Sequence, residues 1–204
     1  YRIGLNLSDV KNEVIDLKGY KSPTTNLTAR IEGQPLDAIF GYKTLGICET
    51  QEQYEQYAAQ MKTFNPKWNV GDIIIDDRDK NGRIDADDKT VIGNSIPRYT
   101  FGVNLGFDYK RWDFSCFFQG VGKADGYVTY EAIQGLNGGG VNCPRIEHYE
   151  KTFDPNNPKP GAYFPRTLKS TYNFENMSHW IQDASYVRLK NLQIGYTFNI
   201  NIRI

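Results

Sequence analysis

Residues 99–120, YTFGVNLGFDYKRWDFSCFFQG, constrain this chain more than any other stretch. Tyr99, Phe101, Val103, Leu105, Phe107 and Tyr109 alternate with Thr100, Gly102, Asn104, Gly106, Asp108 and Lys110. Strand side chains point to opposite faces with period two, so this pattern predicts a strand and is incompatible with an amphipathic helix. Beyond Lys110-Arg111, Trp112, Phe114, Cys116 and Phe118 continue the apolar positions, which predicts a tight turn and a β-hairpin with one wholly apolar face. That face runs about 11 residues on its first strand, the length of a membrane-crossing strand. Tyr99 stands at one end, and Tyr109 and Trp112 at the other, as an aromatic girdle would. A sandwich core would give the same alternation. Periodicity alone does not choose between lipid and core.

Two further segments carry the same signal. YRIGLNLS, residues 1–8, places Tyr1, Ile3, Leu5 and Leu7 on one face. Near the other terminus, Leu192, Ile194, Tyr196 and Phe198 alternate with Gln193, Gly195 and Thr197, whereas Val187 and Leu189 occupy the opposite register. A bulge, or a strand rising from membrane into water, would explain the switch. Between these segments lie shorter strand-like pieces at Val14–Leu17, Ala29–Glu32 and Ala38–Tyr42. The one good helix candidate runs to Phe64, with Thr50 as N-cap, Gln53 at the capping-box position and a stripe of Tyr54, Tyr57, Ala58 and Met61. Residues 120–184, rich in Gly, Asn and Pro, exceed an ordinary connection and read as a functional or mobile loop.

The totals narrow the function classes. Lys+Arg 24 balance Asp+Glu 24, so no basic excess points to nucleic acid. Mean hydropathy is -0.59 and no apolar run approaches the roughly 18 residues of a membrane helix, which leaves transmembrane strands open. Cys48, Cys116 and Cys143 are odd in number and form no C-x-x-C pair, against a disulfide framework or zinc site. Tyr1-Arg2-Ile3 does not open a signal peptide.

One acidic stretch, DDRDKNGRIDADD at 76–88, fits the calcium-loop spacing D-x-[DN]-x-[DN]-G. Calcium takes six to eight oxygens, and alternating positions of a tightly turned loop aim side chains at one point. Asp77, Asp79 and Asn81 would supply side-chain oxygens, Gly82 the sharp turn, and Arg83 its backbone carbonyl. Ile84 would pack inward, Asp85 would act directly or through water, and Asp88 would close the shell. Position twelve is Asp rather than Glu, and the flanks GDIII and KTVIGN look extended rather than helical. A solvated acidic loop neutralised by Arg78, Lys80 and Arg83 is the alternative.

No catalytic motif is present: there is no G-x-S-x-G, H-E-x-x-H or Walker A sequence. His148 and His179 lack an obvious nucleophile partner, and Cys116 reads as a small packing residue. Tyr127, Tyr130, Tyr163, Phe164 and Trp180 could stack on sugars or simply pack the loops. The expectation is a chain that is not an enzyme.

Three blocks in order, ARIEGQPLDAIFGYKTLGI, NPKWNVGDIIIDDRDKNGRIDADDKTVIGNSIPRYTFGVNLGFDYKRWDFSCFFQG and ASYVRLKNLQIGYTF, resemble the C-terminal region of SusC/RagA-type TonB-linked outer-membrane proteins of Bacteroidota. That resemblance implies an all-β fold: antiparallel strands and hairpins from a transmembrane β-barrel, with long extracellular loops and one short helix. It divides the chain into a strand at 1–8, an extracellular loop at 9–98 with the calcium-like motif, a hairpin at 99–119, an extracellular loop at 120–184 and a strand at 185–200. It implies nutrient import, of glycans or peptides, with a SusD-like surface lipoprotein and the TonB complex as partners and outer-membrane lipid around the strands. It also implies that the plug, most of the barrel and a terminal aromatic strand lie outside this sequence. Residues for substrate binding are not indicated. The competing expectation is a secreted or surface-displayed all-β module that binds carbohydrate or mediates adhesion with calcium.

Overall fold

A computed structural model describes residues 1–20, 26–128, 146–158, 160–167 and 172–198. Tyr130, Cys143 and the glycine run at 137–140 lie outside the described residues. In chain order the strands are β1 (Arg2–Ser8), β2 (Thr28–Ala29), β3 (Ala38–Tyr42), β4 (Thr44–Ile47), β5 (Ile73–Ile75) and β6 (Lys89–Gly93). They continue with β7 (Arg98–Tyr109), β8 (Trp112–Lys123), β9 (Asp125–Tyr127), β10 (Ile181–Asp183) and β11 (Tyr186–Tyr196). The helices are α1 (Gln51–Phe64) and the single-turn-and-a-half α2 (Ile146–Lys151). Among the described residues the fold is therefore antiparallel β, as the alternation predicts, with one substantial helix. No described helix is long and apolar enough to cross a membrane, which leaves strand crossing open.

Two compact units divide the chain: residues 1–12, 94–126 and 183–204 form one, residues 13–93 and 127–182 the other. The first is a four-stranded antiparallel sheet in the order β1-β7-β8-β11. Tyr109 faces Trp112, so the hairpin loop is the two residues Lys110-Arg111. Lys110 takes a left-handed φ of 56°, a sense of twist that two-residue hairpins use. At the β8–β11 border the register shifts between Leu189 and Asn191, which makes Lys190 the extra residue of a bulge.

In the second unit, the long segments between membrane-strand candidates build a core of their own. β2, β3 and β6 form one sheet, β4 and β5 another. Ile73, Ile74 and Ile75 are buried with Ile47, Met61, Trp68, Ile84, Phe153, Met177 and Trp180. α1 follows its predicted pattern: Thr50 Oγ1 accepts from Gln53 N at 3.2 Å and Gln53 Oε1 accepts from Thr50 N at 3.2 Å. A reciprocal cap of this kind contributes about 1 kcal/mol. Met61 is buried and Tyr54, Tyr57 and Ala58 pack against the core, so the stripe faces inward.

Two short strand expectations are corrected. Val14–Leu17 is not a strand: Val14 exchanges hydrogen bonds with Gly33 and Gln34 in an irregular pairing. Ala29–Glu32 keeps only Thr28–Ala29, because the chain turns where Gln34 N donates to Ile31 O and Gly33 takes φ +78°. Ala38–Tyr42 is a strand with the predicted limits, every residue buried.

Candidate functional site

The sheet of the first unit has two unlike faces, fixed by register. Residues directly opposite share a face. One row across the sheet is Ile3, Leu105, Cys116 and Leu192; the next is Leu5, Val103, Phe118 and Leu189. Further rows add Leu7, Phe101 and Val187 on one side, and Phe107, Phe114 and Ile194 on the other. The bulge at Lys190 matters here. It brings Val187 and Leu189, which the bare alternation puts on the polar side, onto the apolar face beside Gly120 and Phe118. The face carries no charged residue in any of these rows.

Nothing in this unit covers it among the described residues. Leu5 is 74% exposed, Leu105 37%, Phe107 47% and Leu192 53%. Phe101, Val103, Phe114 and Phe118 are half-buried only by their neighbours in the sheet. In water a contiguous apolar surface of this kind is a liability that soluble domains avoid. At the hairpin end the face closes in aromatics: Tyr109 pairs with Trp112, the Trp112 and Tyr196 rings lie 4.8 Å apart, and Tyr196 meets Phe198 at 4.6 Å. Tyr99 marks the far end. Ten residue steps separate Tyr99 from Tyr109, about 33 Å of strand, or about 25 Å along the membrane normal at the tilt of a barrel strand. That equals the apolar band of an outer-membrane barrel.

The opposite face is mainly polar, with Phe117 and Val121 as its apolar members on β8. It presents Arg2, Asn6, Asn104, Asp108, Asp113, Ser115, Gln119, Arg188, Asn191 and Gln193, with Arg2 and Asp108 paired at 3.3 Å. Apolar outside and polar inside is the dyad pattern of a strand between lipid and an aqueous lumen.

The acidic loop belongs to the second unit, between β5 and β6, so its flanks are extended as expected. Oxygens of Asp77, Asp79 and Asp88 lie within 4.8 Å of one another. Ligands on opposite sides of a calcium ion, each 2.3–2.6 Å from it, stand about 5 Å apart, so this spacing fits one ion. The loop is wound by its own backbone. Gly82 N donates to Asp77 Oδ2 at 2.8 Å and Gly82 takes φ +80°, the turn assigned to it. Asn81 N donates to Asp77 and Asp79, while its amide oxygen accepts from Arg83 N at 2.8 Å. Ile84 is buried, and its N–H is held by Thr63 Oγ1 of α1 at 2.9 Å. Asp88 is buried and accepts from Arg78 N and Asp85 N, at 2.8 and 2.9 Å. Asp85 stands outside the gathered trio; its carboxylate caps the 3-10 turn Ala86–Asp88 by accepting from Asp87 N at 2.9 Å. Asp77, Asp79 and Asp88 thus converge through their side chains.

The remaining candidates pack. Trp180 is fully buried, its Nε1 donating to Asn173 O, and Tyr163 and Phe164 lie against it. Tyr127 is half-buried, with its hydroxyl on Glu175 O. His148 is buried and stacks on Phe164 at 4.4 Å. Burial pushes the His179 imidazole below its ordinary range, and its Nε2 sits 2.7 Å from Tyr163 O. Cys48, also buried, has its thiol pushed up to about 11, mainly by loss of water and then by Asp72.

Asp72 is a constellation that sequence reasoning missed. It is fully buried, and its two oxygens accept from Arg166 Nε at 2.8 Å, Arg166 guanidinium at 2.7 Å, Asn173 Nδ2 at 3.0 Å and Asn69 N at 2.9 Å. All its lone pairs are used, which is what a buried carboxylate requires. The partners lie 94 and 101 residues away. The only local signal is a charge abutting the Ile73–Ile75 run.

Comparison with known proteins finds relatives in one organism. TonB-dependent receptor P39 of Formosa agariphila is 26% identical over 226 residues, covering 95% of this chain and 22% of that protein. The chain matches a segment of TonB-dependent receptors. Receptor P3 of the same organism is 28% identical over 165 residues, covering 81% of this chain and 15% of that protein. Receptor P26 is 26% identical over 206 residues, with 97% and 20% covered. The chain therefore spans about a fifth of the length of the curated relatives it matches. No protein-family model matches it. These relatives are named as receptors, in line with the expectation that the chain is not an enzyme.

Proposed function

We propose that this chain is part of an outer-membrane, TonB-dependent importer whose β1-β7-β8-β11 sheet forms a section of barrel wall. The observation that carries this reading is the uncovered, charge-free apolar face, about 25 Å tall and bounded by aromatics, opposite a polar face. Lipid is the occupant that such a face requires. The similarity to TonB-dependent receptors over nearly the whole chain supports the same conclusion. The alternative, a surface-displayed calcium-dependent module, accounts for the acidic loop but leaves the apolar face without an occupant.

In this reading the short Lys110-Arg111 turn faces the periplasm and the long segments 9–98 and 120–184 are extracellular, since short turns and long loops lie on opposite sides of such barrels. The cargo is a glycan or peptide, delivered with a SusD-like lipoprotein, and TonB supplies the energy through parts of the protein outside this sequence. Calcium occupies the Asp77–Asp79–Asp88 cluster, with Asn81 and the Arg83 carbonyl completing the shell and Asp85 reached through water. Its role is to hold a loop, since no group around it is placed for chemistry.

Two measurements test this. Nitroxide labels at Leu105 and Leu192 of the full-length protein in vesicles should collide readily with oxygen and poorly with a polar nickel reagent; the reverse preference would refute a lipid-facing sheet. Calorimetric titration with calcium should give millimolar or tighter binding that Asp77→Ala and Asp88→Ala weaken. A parent protein that takes up no calcium would refute the metal assignment while leaving the barrel reading standing.

A further inference from the structure

We propose that the described parts of the two long connections, within residues 13–93 and 127–182, open and close as a single cooperative body and not as two independent loops. Each supplies part of one core. The first brings β3, β4, β5 and α1; the second brings Phe153, Met177 and Trp180, which are buried among them.

Among the described residues, Gly161 N donates to Glu49 Oε1 across the halves at 2.9 Å, and three more extensive ties join them. The first is Asp72 with Arg166 and Asn173, in which Arg166 also donates to Lys67 O at 2.8 Å and Asn173 Oδ1 accepts from Ile73 N at 3.1 Å. Pulling the second connection away strands a buried carboxylate beside β5, and removing one partner of a buried pair is far costlier than the pair's net worth. The second tie is backbone: Arg166 N donates to Gly71 O at 2.8 Å. The third runs along β3 and β4. Tyr42 N donates to Asn176 O at 2.8 Å, Tyr42 bridges to Met177, and Thr44 N donates to Ser178 Oγ at 2.9 Å. Gly41 makes that approach possible, since a Cβ there would stand 2.1 Å from Asn176 O. Opening one connection alone would break all three ties and expose Trp180 and Met177 together. A partial opening therefore costs nearly as much as opening the whole body, which is the condition for one cooperative unit.

The inference holds whether or not the neighbouring sheet lies in lipid. It is tested by native-state hydrogen exchange on the full chain in lipid or detergent, over low guanidinium concentrations. The amides of Phe40 and Cys48, bonded to Leu27 O and Asp72 O, should share one opening equilibrium and one denaturant slope with Phe153 and Trp180, bonded to Phe164 O and Met177 O. Arg166→Ala should raise exchange at all four by the same factor, about a hundredfold or more. Acceleration confined to Phe153 and Trp180, with Phe40 and Cys48 unchanged within about threefold, would overturn it. If the variant does not fold, two distinct slopes in the unaltered chain would overturn it equally well.

Discussion

Consider arginine placed at Leu105. In the sheet, Leu105 stands in the row Ile3–Leu105–Cys116–Leu192, four residues from Tyr109 and six from Tyr99. Four steps are about 13 Å of strand, or about 10 Å along the membrane normal at a barrel tilt. A guanidinium reaches only about 6–7 Å from its own Cα, so the charge cannot snorkel to either boundary. Near the midplane of a barrel's lipid face, Arg costs about 2–4 kcal/mol, so we take about 3 kcal/mol for Leu105→Arg, roughly a hundredfold in the folding equilibrium. Tyr109→Arg, on the same face at the aromatic boundary, should cost below about 1 kcal/mol. Asn104→Arg, one residue away but on the polar face, should cost little. The assay is guanidinium unfolding of the full-length protein in lipid vesicles, followed by tryptophan fluorescence. Equal costs for Leu105→Arg and Asn104→Arg, or a cost at Tyr109 as large as at Leu105, would refute the lipid-facing assignment.

Other consequences are simpler to check. Gly41→Ala drives a methyl group into Asn176 O and should destabilise the second unit by about 3 kcal/mol, read as a lower denaturation midpoint; an unchanged midpoint would show that the two strands do not approach as described. His179 should make this unit weaker in acid. Its folded pKa lies below the ordinary 6.5, so the unfolded chain binds the proton first and stability falls as pH drops from about 6.5 toward the folded value. His179→Gln should flatten that slope, and a slope unchanged by the substitution would remove His179 as its source. With its thiol pushed up to about 11, Cys48 should resist alkylation at pH 8 in the native protein and react once unfolded.

Local rules carried much of the fold. Alternation from Tyr99 to Phe118 placed the hairpin and its turn, because strand side chains have a strict period of two and no tertiary information is needed to count it. The capping box at Thr50 and Gln53 placed α1, since a helix N-terminus is satisfied within four residues. The winding of the acidic loop was legible for the same reason: Asp77, Asp79 and Asn81 bond to backbone groups two to five residues away. The gathering of Asp88, eleven positions on, is also a property of one short loop.

What depended on distant chain was hidden. Val187 and Leu189 read as facing the wrong way until the bulge at Lys190 was set by pairing with β8, and a one-residue slip moves every following side chain to the other face. The polar, glycine-rich connections read as loops because their core is assembled from both of them, with Trp180 and Met177 completing what Ile73–Ile75 and Met61 begin. Asp72, Arg166 and Asn173 are unremarkable where they stand in the sequence and become a clamp only when about a hundred residues of chain bring them together. The sequence by itself determined where the long strands run, which face of the hairpin is apolar and where carboxylates cluster, because each follows from neighbours in the chain. Only the tertiary structure decided that the apolar face runs unbroken across four strands and that two separate connections share one core, because burial and register are properties of partners far apart in sequence.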